Sequence, residues 1–300
     1  MVYQVSSGNA LVVKSLFLVK NIHIPLFGGL GNQLFQFSMG LYLKKYFDRV
    51  ACWTDLIFKS HWTNKISSLV DCNSKTNFTR FDFVILKFLS LLYPTLIIHE
   101  NESSDIPVFR IKKSSRLVVG YFQRYEYVDA VKSELLTALK KSEQFSAVVP
   151  TVSNDEIAVH IRRGDYAQEN VKQVLGLTEM SYYVHGVRLL LKLTESYKKI
   201  VIYSDESQQA LLEFVKEYGK SNIPIVSSSF SNDYDDLGAM ARSKGIVISN
   251  STFSWWAAWI GSNTVGSLVV APRPWFATPS AADKNLVIDK WLVLDRVIKI

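Results

Sequence analysis

Three hundred residues, 48% of them hydrophobic and 13% aromatic, are enough to bury two cores of roughly 150 residues each, and no internal repeat or low-complexity run interrupts them. Two cysteines, Cys52 and Cys72, exclude a disulfide framework and fit a reducing compartment. The net charge of +7 lies wholly in the first half, where residues 1–150 carry 18 Lys plus Arg against 11 Asp plus Glu while residues 151–300 carry 16 of each. An acidic partner is therefore expected for that half: anionic lipid, a phosphorylated acceptor or nucleic acid.

Ala10 to Phe27 is apolar but interrupted by Lys14, Lys20 and His23, short of the roughly 20 clean residues that span a bilayer. It also lacks the small-residue cleavage site of a signal peptide. The expectation is a cytoplasmic protein whose first core strand lies within Leu16 to Phe27. Next comes Gly28-Gly29-Leu30-Gly31-Asn32-Gln33, followed by Leu34, Phe37 and Leu41 at helical spacing. Such a glycine turn lets backbone approach a ligand at a helix start that favours negative charge. Leu34 stands where the dinucleotide fingerprint has its third glycine, so a nicotinamide-dependent oxidoreductase is only weakly indicated.

Phe81 to Leu92 is strongly apolar and reads as a buried helix. Cys52, Trp53, His61, Trp62, Cys72 and His99 lack metal-ligand spacing and read as packing residues. Leu117 to Gln123 reads as a strand ending in a polar loop, with a helix from about Glu126 to Lys141. The aperiodic Pro150 to Asp155 is the expected linker, which divides the chain into residues 1–152 and 153–300.

The second half alternates strand and helix. Ile157 to Ile161 is an apolar run of the kind buried on both faces of a parallel sheet, and it stops at Arg162, Arg163, Gly164 and Asp165. Arginine's planar fork matches an oxyanion and keeps its charge at any working pH. A helix from Met180 to Tyr197, a strand from Lys199 to Tyr203 closing on Ser204-Asp205-Glu206, and a helix from Gln208 to Tyr218 follow. Ile223 to Val226 reads as a short strand. Asp233, Asp235 and Asp236 precede a helix over Leu237 to Ser243, where acids favour the helix start rather than a metal. Gly245 to Ile248 then leads to Ser249-Asn250-Ser251-Thr252 and a helix through Phe253, Trp255, Trp256 and Trp259, a phosphate site by its hydroxyls and helix start. Three loops of guanidinium, hydroxyl and carboxylate should thus meet at one sheet edge, which suits a nucleoside diphosphate. A nucleic-acid binder would cluster its cations on one element; here the densest arginines flank a buried strand.

Five stretches in order, Gly28 to Gln36, Gly120-Tyr121-Phe122-Gln123, His160 to Tyr166, Tyr203-Ser204-Asp205-Glu206 and Ser249 to Trp256, resemble the motifs of the α-1,2-fucosyltransferases, most of all the bacterial members that build surface polysaccharides. The resemblance implies an α/β chain of two facing Rossmann-like domains, the GT-B glycosyltransferase architecture. It implies inverting transfer of fucose from GDP-fucose to O2 of a galactose, with no cofactor and no required metal; the basic first half adds the expectation of an acceptor that is lipid-linked and presented at an anionic membrane. It further implies that Arg162 serves the β-phosphate, that Ser251, Thr252 and Phe253 surround the diphosphate, that His160 and Asp165 support that site, and that Asn32 faces the donor from the first domain; Arg163, Asp205 and Asn250, in the same three loops, are further substrate-binding candidates. Asp165 is implied as an orienting group or base. Another GDP-sugar-dependent inverting transferase is the alternative.

Overall fold

The computed structural model describes residues 22–54, 65–66, 68–69, 80–100, 111–112, 114–164, 173–194, 196–229, 232–277, 283 and 285–297. The chain forms two compact units, Met1–Leu135 and Leu136–Ile300. This division falls earlier than the 152/153 boundary read from Pro150 to Asp155. The reason is packing: Phe145 stacks edge-on against Tyr234 at 5.2 Å, and the Ala147 backbone lies so close to Gly238 that an added Cβ would meet its carbonyl oxygen at 2.9 Å.

In the first unit β1 (Ile22–Leu26), α1 (Leu30–Leu43) and β2 (Val50–Thr54) are followed by α2 (Arg80–Ser90), β3 (Ile97–His99) and β4 (Leu117–Val119). The four strands run parallel in the order β2-β1-β4-β3. Parallel pairing with a helical crossover buries both faces of the central strand, and all five residues of β1 are buried. Ile24, Met39, Leu43, Val118 and Phe122 form the core.

Two expectations need correction here. The helix read over Glu126 to Lys141 is two, α3 (Tyr125–Ala130) and α4 (Lys132–Lys141), because Val131 leaves helical geometry at φ −120°, ψ 19°. The apolar α2 is not a buried helix: Leu86 and Leu89 face inward, but Val84 and Phe88 stand in solvent. Both faces carry apolar side chains, so hydrophobicity alone did not mark the outward one.

The second unit runs β5 (Asn154–Ile161), α5 (Met180–Leu193), β6 (Lys199–Ser204), α6 (Ser207–Tyr218), β7 (Ile225–Ser227), α7 (Asp233–Arg242), β8 (Ser243–Val247), α8 (Thr252–Thr264), β9 (Leu268–Arg273) and β10 (Leu292–Asp295). Its six strands lie in the order β10-β9-β8-β5-β6-β7, and every pairing is parallel. Counted within the unit this is the 3-2-1-4-5-6 winding of a dinucleotide-type sheet, with the reversal between β5 and β8. Ile157, Val159 and Ile161 join Ile200, Ile202, Val247 and Val270 under α5 and α6. By the two-residue period of a strand, Ala158 and His160 face the other side. Trp255, Trp256 and Trp259 are wholly buried, as expected of core; the Trp255 indole donates to the Leu286 carbonyl at 2.7 Å.

The chain is thus an α/β protein of two units, each carrying a parallel sheet. Among the described residues no helix is long and apolar enough to cross a membrane. His61, Trp62, Cys72, Asp165 and Tyr166 lie outside the described residues.

Candidate active site

Because β5, β6 and β8 are adjacent and parallel, their carboxyl ends bring Arg162–Gly164, Ser204–Glu206 and Ser249–Phe253 to one edge. The strand order reverses there, and a crevice opens outside the carboxyl ends of such strands. Asp205 knits two of these loops together. Its Oδ2 lies 3.4 Å from Arg162 Nη1, and its Oδ1 accepts the Arg163 backbone N–H at 3.0 Å. The register that pairs Ile161 with Ser204 makes these residues neighbours. A Cβ on Gly164 would meet Asp205 Oδ2 at 2.2 Å, so a larger residue there would push that carboxylate aside.

The two arginines have different partners: Arg163 forms an ion pair with Glu213 of α6, while Arg162, its side chain 29% exposed, faces Asp205. A part-exposed guanidinium with a carboxylate along one edge is held in direction yet open to exchange with solvent or ligand.

His160 is 4% exposed, and its Nδ1 sits 2.8 Å from Ser249 Oγ. Its ring lies 5.5 Å from that of Phe253 in the first turn of α8. Burial, helped by the Arg162 charge, lowers its pKa from 6.5 to about 3. The ring is therefore neutral at any working pH, a packing and hydrogen-bonding group beneath the helix start rather than a proton carrier.

Ser251 occupies the N-cap of α8, but its side chain makes no capping bond. Ser254 instead donates back to the Ser251 carbonyl at 3.2 Å. The N-terminus of a 13-residue helix, with Ser251 and Thr252 hydroxyls beside it, thus opens on the edge that bears Arg162. Aligned N–H groups and a guanidinium suit a doubly charged diphosphate. Asn250 is 2% exposed. Its Nδ2 donates to the carbonyls of Leu175 at 2.8 Å and Trp275 at 3.0 Å, and its Oδ1 accepts from Thr178 Oγ1 at 3.1 Å. That commitment makes Asn250 a clamp on the strand-to-helix turn.

In the first unit the glycine turn is equally built. Gly28 takes φ +79°, where an L side chain is strained, and its carbonyl accepts from Gln33 Nε2 at 2.8 Å. Gln36, fully buried, accepts the Phe27 N–H at 2.9 Å and donates to the Gly120 carbonyl at 3.2 Å. Gln123 donates to Asn32 Oδ1 at 3.0 Å. Two stretches some 84 residues apart therefore form one loop cluster around Asn32. Phe122 holds φ 54°, anchored by its N–H to Glu100 Oε2 at 2.7 Å.

His160, Arg162, Arg163, Asp205, Asn250, Ser251, Thr252 and Phe253 thus share one edge of the second unit, and Asn32 belongs to the first. Ser249 and Glu213 were not singled out as individual residues in the sequence; a serine and a surface helix acid carry no signal until the strands are paired. At the start of α7 Asn232 Oδ1 accepts from the N–H groups of Tyr234 and Asp235. Asp233, Asp235 and Asp236 accordingly line a first turn.

The family model described as glycosyl transferase family 11 matches residues 12–295. The chain is 27% identical over 300 residues to an alpha-1,2-colitosyltransferase of Escherichia coli, covering 90% of this chain and 98% of the relative. It is 24% identical over 321 residues to the O-antigen biosynthesis glycosyltransferase WbnK of Escherichia coli, covering 90% and 99%. Among solved structures, POFUT1 in complex with GDP-fucose has a TM-score of 0.41 at 14% identity, covering 83% of this chain and 97% of that one. A glycosyl transferase family 9 protein of Veillonella parvula has a TM-score of 0.39 at 13% identity, covering 94% and 88%.

Proposed function

Because this chain belongs to glycosyl transferase family 11, we propose that the glycosyl group it moves is L-fucose, taken from GDP-fucose and placed with inversion on O2 of a galactose in an O-antigen-type glycan. The observation that carries the reading is the meeting of Arg162, Asp205 and the start of α8 at the strand-order reversal. Galactose, guanine and the inverting course come from the family resemblance, and the relative named for O-antigen biosynthesis supports the setting.

Single displacement at the sugar's anomeric carbon needs the departing diphosphate neutralised. In this reading Arg162 and the α8 N-terminus supply that through charge-assisted bonds, each about 1.5–3 kcal/mol. Asp205 holds the guanidinium in direction; neutral His160 and Ser249 support Phe253 and the helix turn from beneath. The acceptor hydroxyl must also lose a proton. Asp165 follows two arginines, and cationic neighbours depress a carboxylate's basicity. We assign it orientation rather than proton transfer; an Asp165→Asn enzyme restored by added azide would overturn that assignment.

The first unit's positive charge extends this reading to a peripheral contact with the cytoplasmic membrane surface, where a lipid-linked acceptor stands. No metal or cofactor is assigned a role. A second reading, in which the sugar moved is colitose, is favoured by the relative named for that transfer. Transfer assays with GDP-fucose, GDP-colitose and other nucleotide sugars against a panel of galactosides, with and without EDTA, test all of this. Fucosyl transfer undiminished by EDTA is the expected outcome. Preference for another donor sugar would refute the first reading, and loss of activity with EDTA would refute metal independence.

A further inference from the structure

Helix α2 and the turn after it leave Val84 63%, Phe88 68%, Leu91 77%, Leu92 70% and Tyr93 61% exposed. Single exposed apolar residues need no explanation, but five within ten consecutive positions do. At 100° per residue Val84, Phe88 and Leu91 fall within about 60° of one another around the axis. Leu86 and Leu89, 2% and 9% exposed, lie on the opposite side and seat the helix. The turn stays helical in its bonding, with Leu91 N–H to the Phe88 carbonyl and Tyr93 N–H to that of Leu89. The stripe is therefore held in place.

Cations border it. Lys87 projects from the same helix and is exposed. Lys112 is exposed on a turn tied to the segment just beyond Tyr93, where Ser115 Oγ donates to the Thr95 carbonyl at 2.8 Å. An outward apolar stripe, a terminal tyrosine and flanking lysines are the composition of a helix lying in the plane of a bilayer interface. The opposite charge they call for is that of acidic headgroups, and the surplus of cations lies in this half of the chain.

We propose that the outward face of α2, through Val84, Phe88, Leu91 and Leu92 with Lys87 on the same helix and Lys112 on the turn tied to Thr95, docks the enzyme onto an anionic lipid bilayer. This gives the peripheral contact of the functional reading a place in the chain. Docking is measured without any sugar donor, so its failure leaves the transfer reading standing.

The test is sedimentation of the full chain with vesicles of phosphatidylglycerol and phosphatidylethanolamine, against phosphatidylcholine alone. Binding to the anionic vesicles is expected, lowered at least ~10-fold by Phe88→Ser with Leu91→Ser and several-fold by Lys87→Glu. Leu212→Ser, an exposed leucine of α6 in the second unit, should leave binding unchanged. Unaltered circular dichroism establishes that the double variant is folded. Vesicle binding by the double variant equal to wild type overturns the proposal. So does a wild type that ignores anionic vesicles, or one that forms a dimer which the double variant abolishes, since the face would then belong to a second copy.

Discussion

Asp205 is bound to Arg162 across two neighbouring strands, its Oδ2 3.4 Å from the guanidinium, while its other oxygen accepts the N–H of Arg163. One carboxylate therefore sets both the direction of the fork and the path of the backbone carrying it. Removing that fork should be costly. Arg162→Ala is expected to lower kcat/KM by at least ~100-fold, and Arg162→Lys to recover little of it, because an ammonium cannot reproduce two parallel hydrogen bonds. Steady-state kinetics with saturating acceptor decide; near-wild-type activity of the lysine enzyme removes Arg162 from the role.

Gly164→Ala tests the same arrangement from the other side. The new methyl would meet Asp205 Oδ2 at 2.2 Å and displace the carboxylate from both partners. A loss of at least ~10-fold in kcat/KM is expected, and adding Asp205→Ala should cost little more, since the two changes strike one interaction. Additive losses in that double-mutant cycle would show that the glycine matters for something else.

His160 makes stability depend on pH. Its folded pKa of about 3 lies below the ordinary 6.5, so the unfolded chain takes up the proton first and stability falls as pH drops from about 6.5 toward 3. Between pH 6.5 and 4.5 this single group should cost about 2 kcal/mol, a window largely above the carboxylate titrations. Urea unfolding of His160→Gln across that range should show a correspondingly flatter profile; a parallel profile would mean that the ring is charged in the fold.

Gln36→Leu removes a buried amide that serves the Phe27 N–H and the Gly120 carbonyl at once. Leaving both unsatisfied should destabilise the first unit by about 2–4 kcal/mol. Thermal melts should record a drop of several degrees. A leucine variant as stable as wild type would mean that water or backbone movement satisfies both groups.

Much of the second unit was legible because central parallel strands are apolar runs without alternation: Ile157 to Ile161, Lys199 to Tyr203 and Gly245 to Ile248 each mark a strand with its polar edge. The three candidate loops followed from those edges, whereas the role expected of each residue in them came from the family resemblance. Pairing across strands was not legible. Asp165, three positions from Arg162, was the carboxylate expected to pair with it, whereas the described partner is Asp205, read only as a site residue and brought near by the Ile161 to Ser204 register. The first unit was harder to read because β3 and β4 hold three residues each. The break at Val131 is a backbone event with no glycine or proline to announce it. The outward stripe of α2 was hidden since apolarity on both faces reads as burial.

The hydrogen bond between His160 and Ser249 spans 89 residues of chain, and on the proposed reading that span sets when the chain could first hold a diphosphate. A nascent chain ending after β7 already contains both arginines and Asp205 but lacks the strand and helix that complete the cradle. If the proposed donor is right, nucleotide affinity should therefore appear abruptly during synthesis, once Ser249 and the turn beyond it have emerged, and GDP should stabilise only molecules whose central strands have already zipped together.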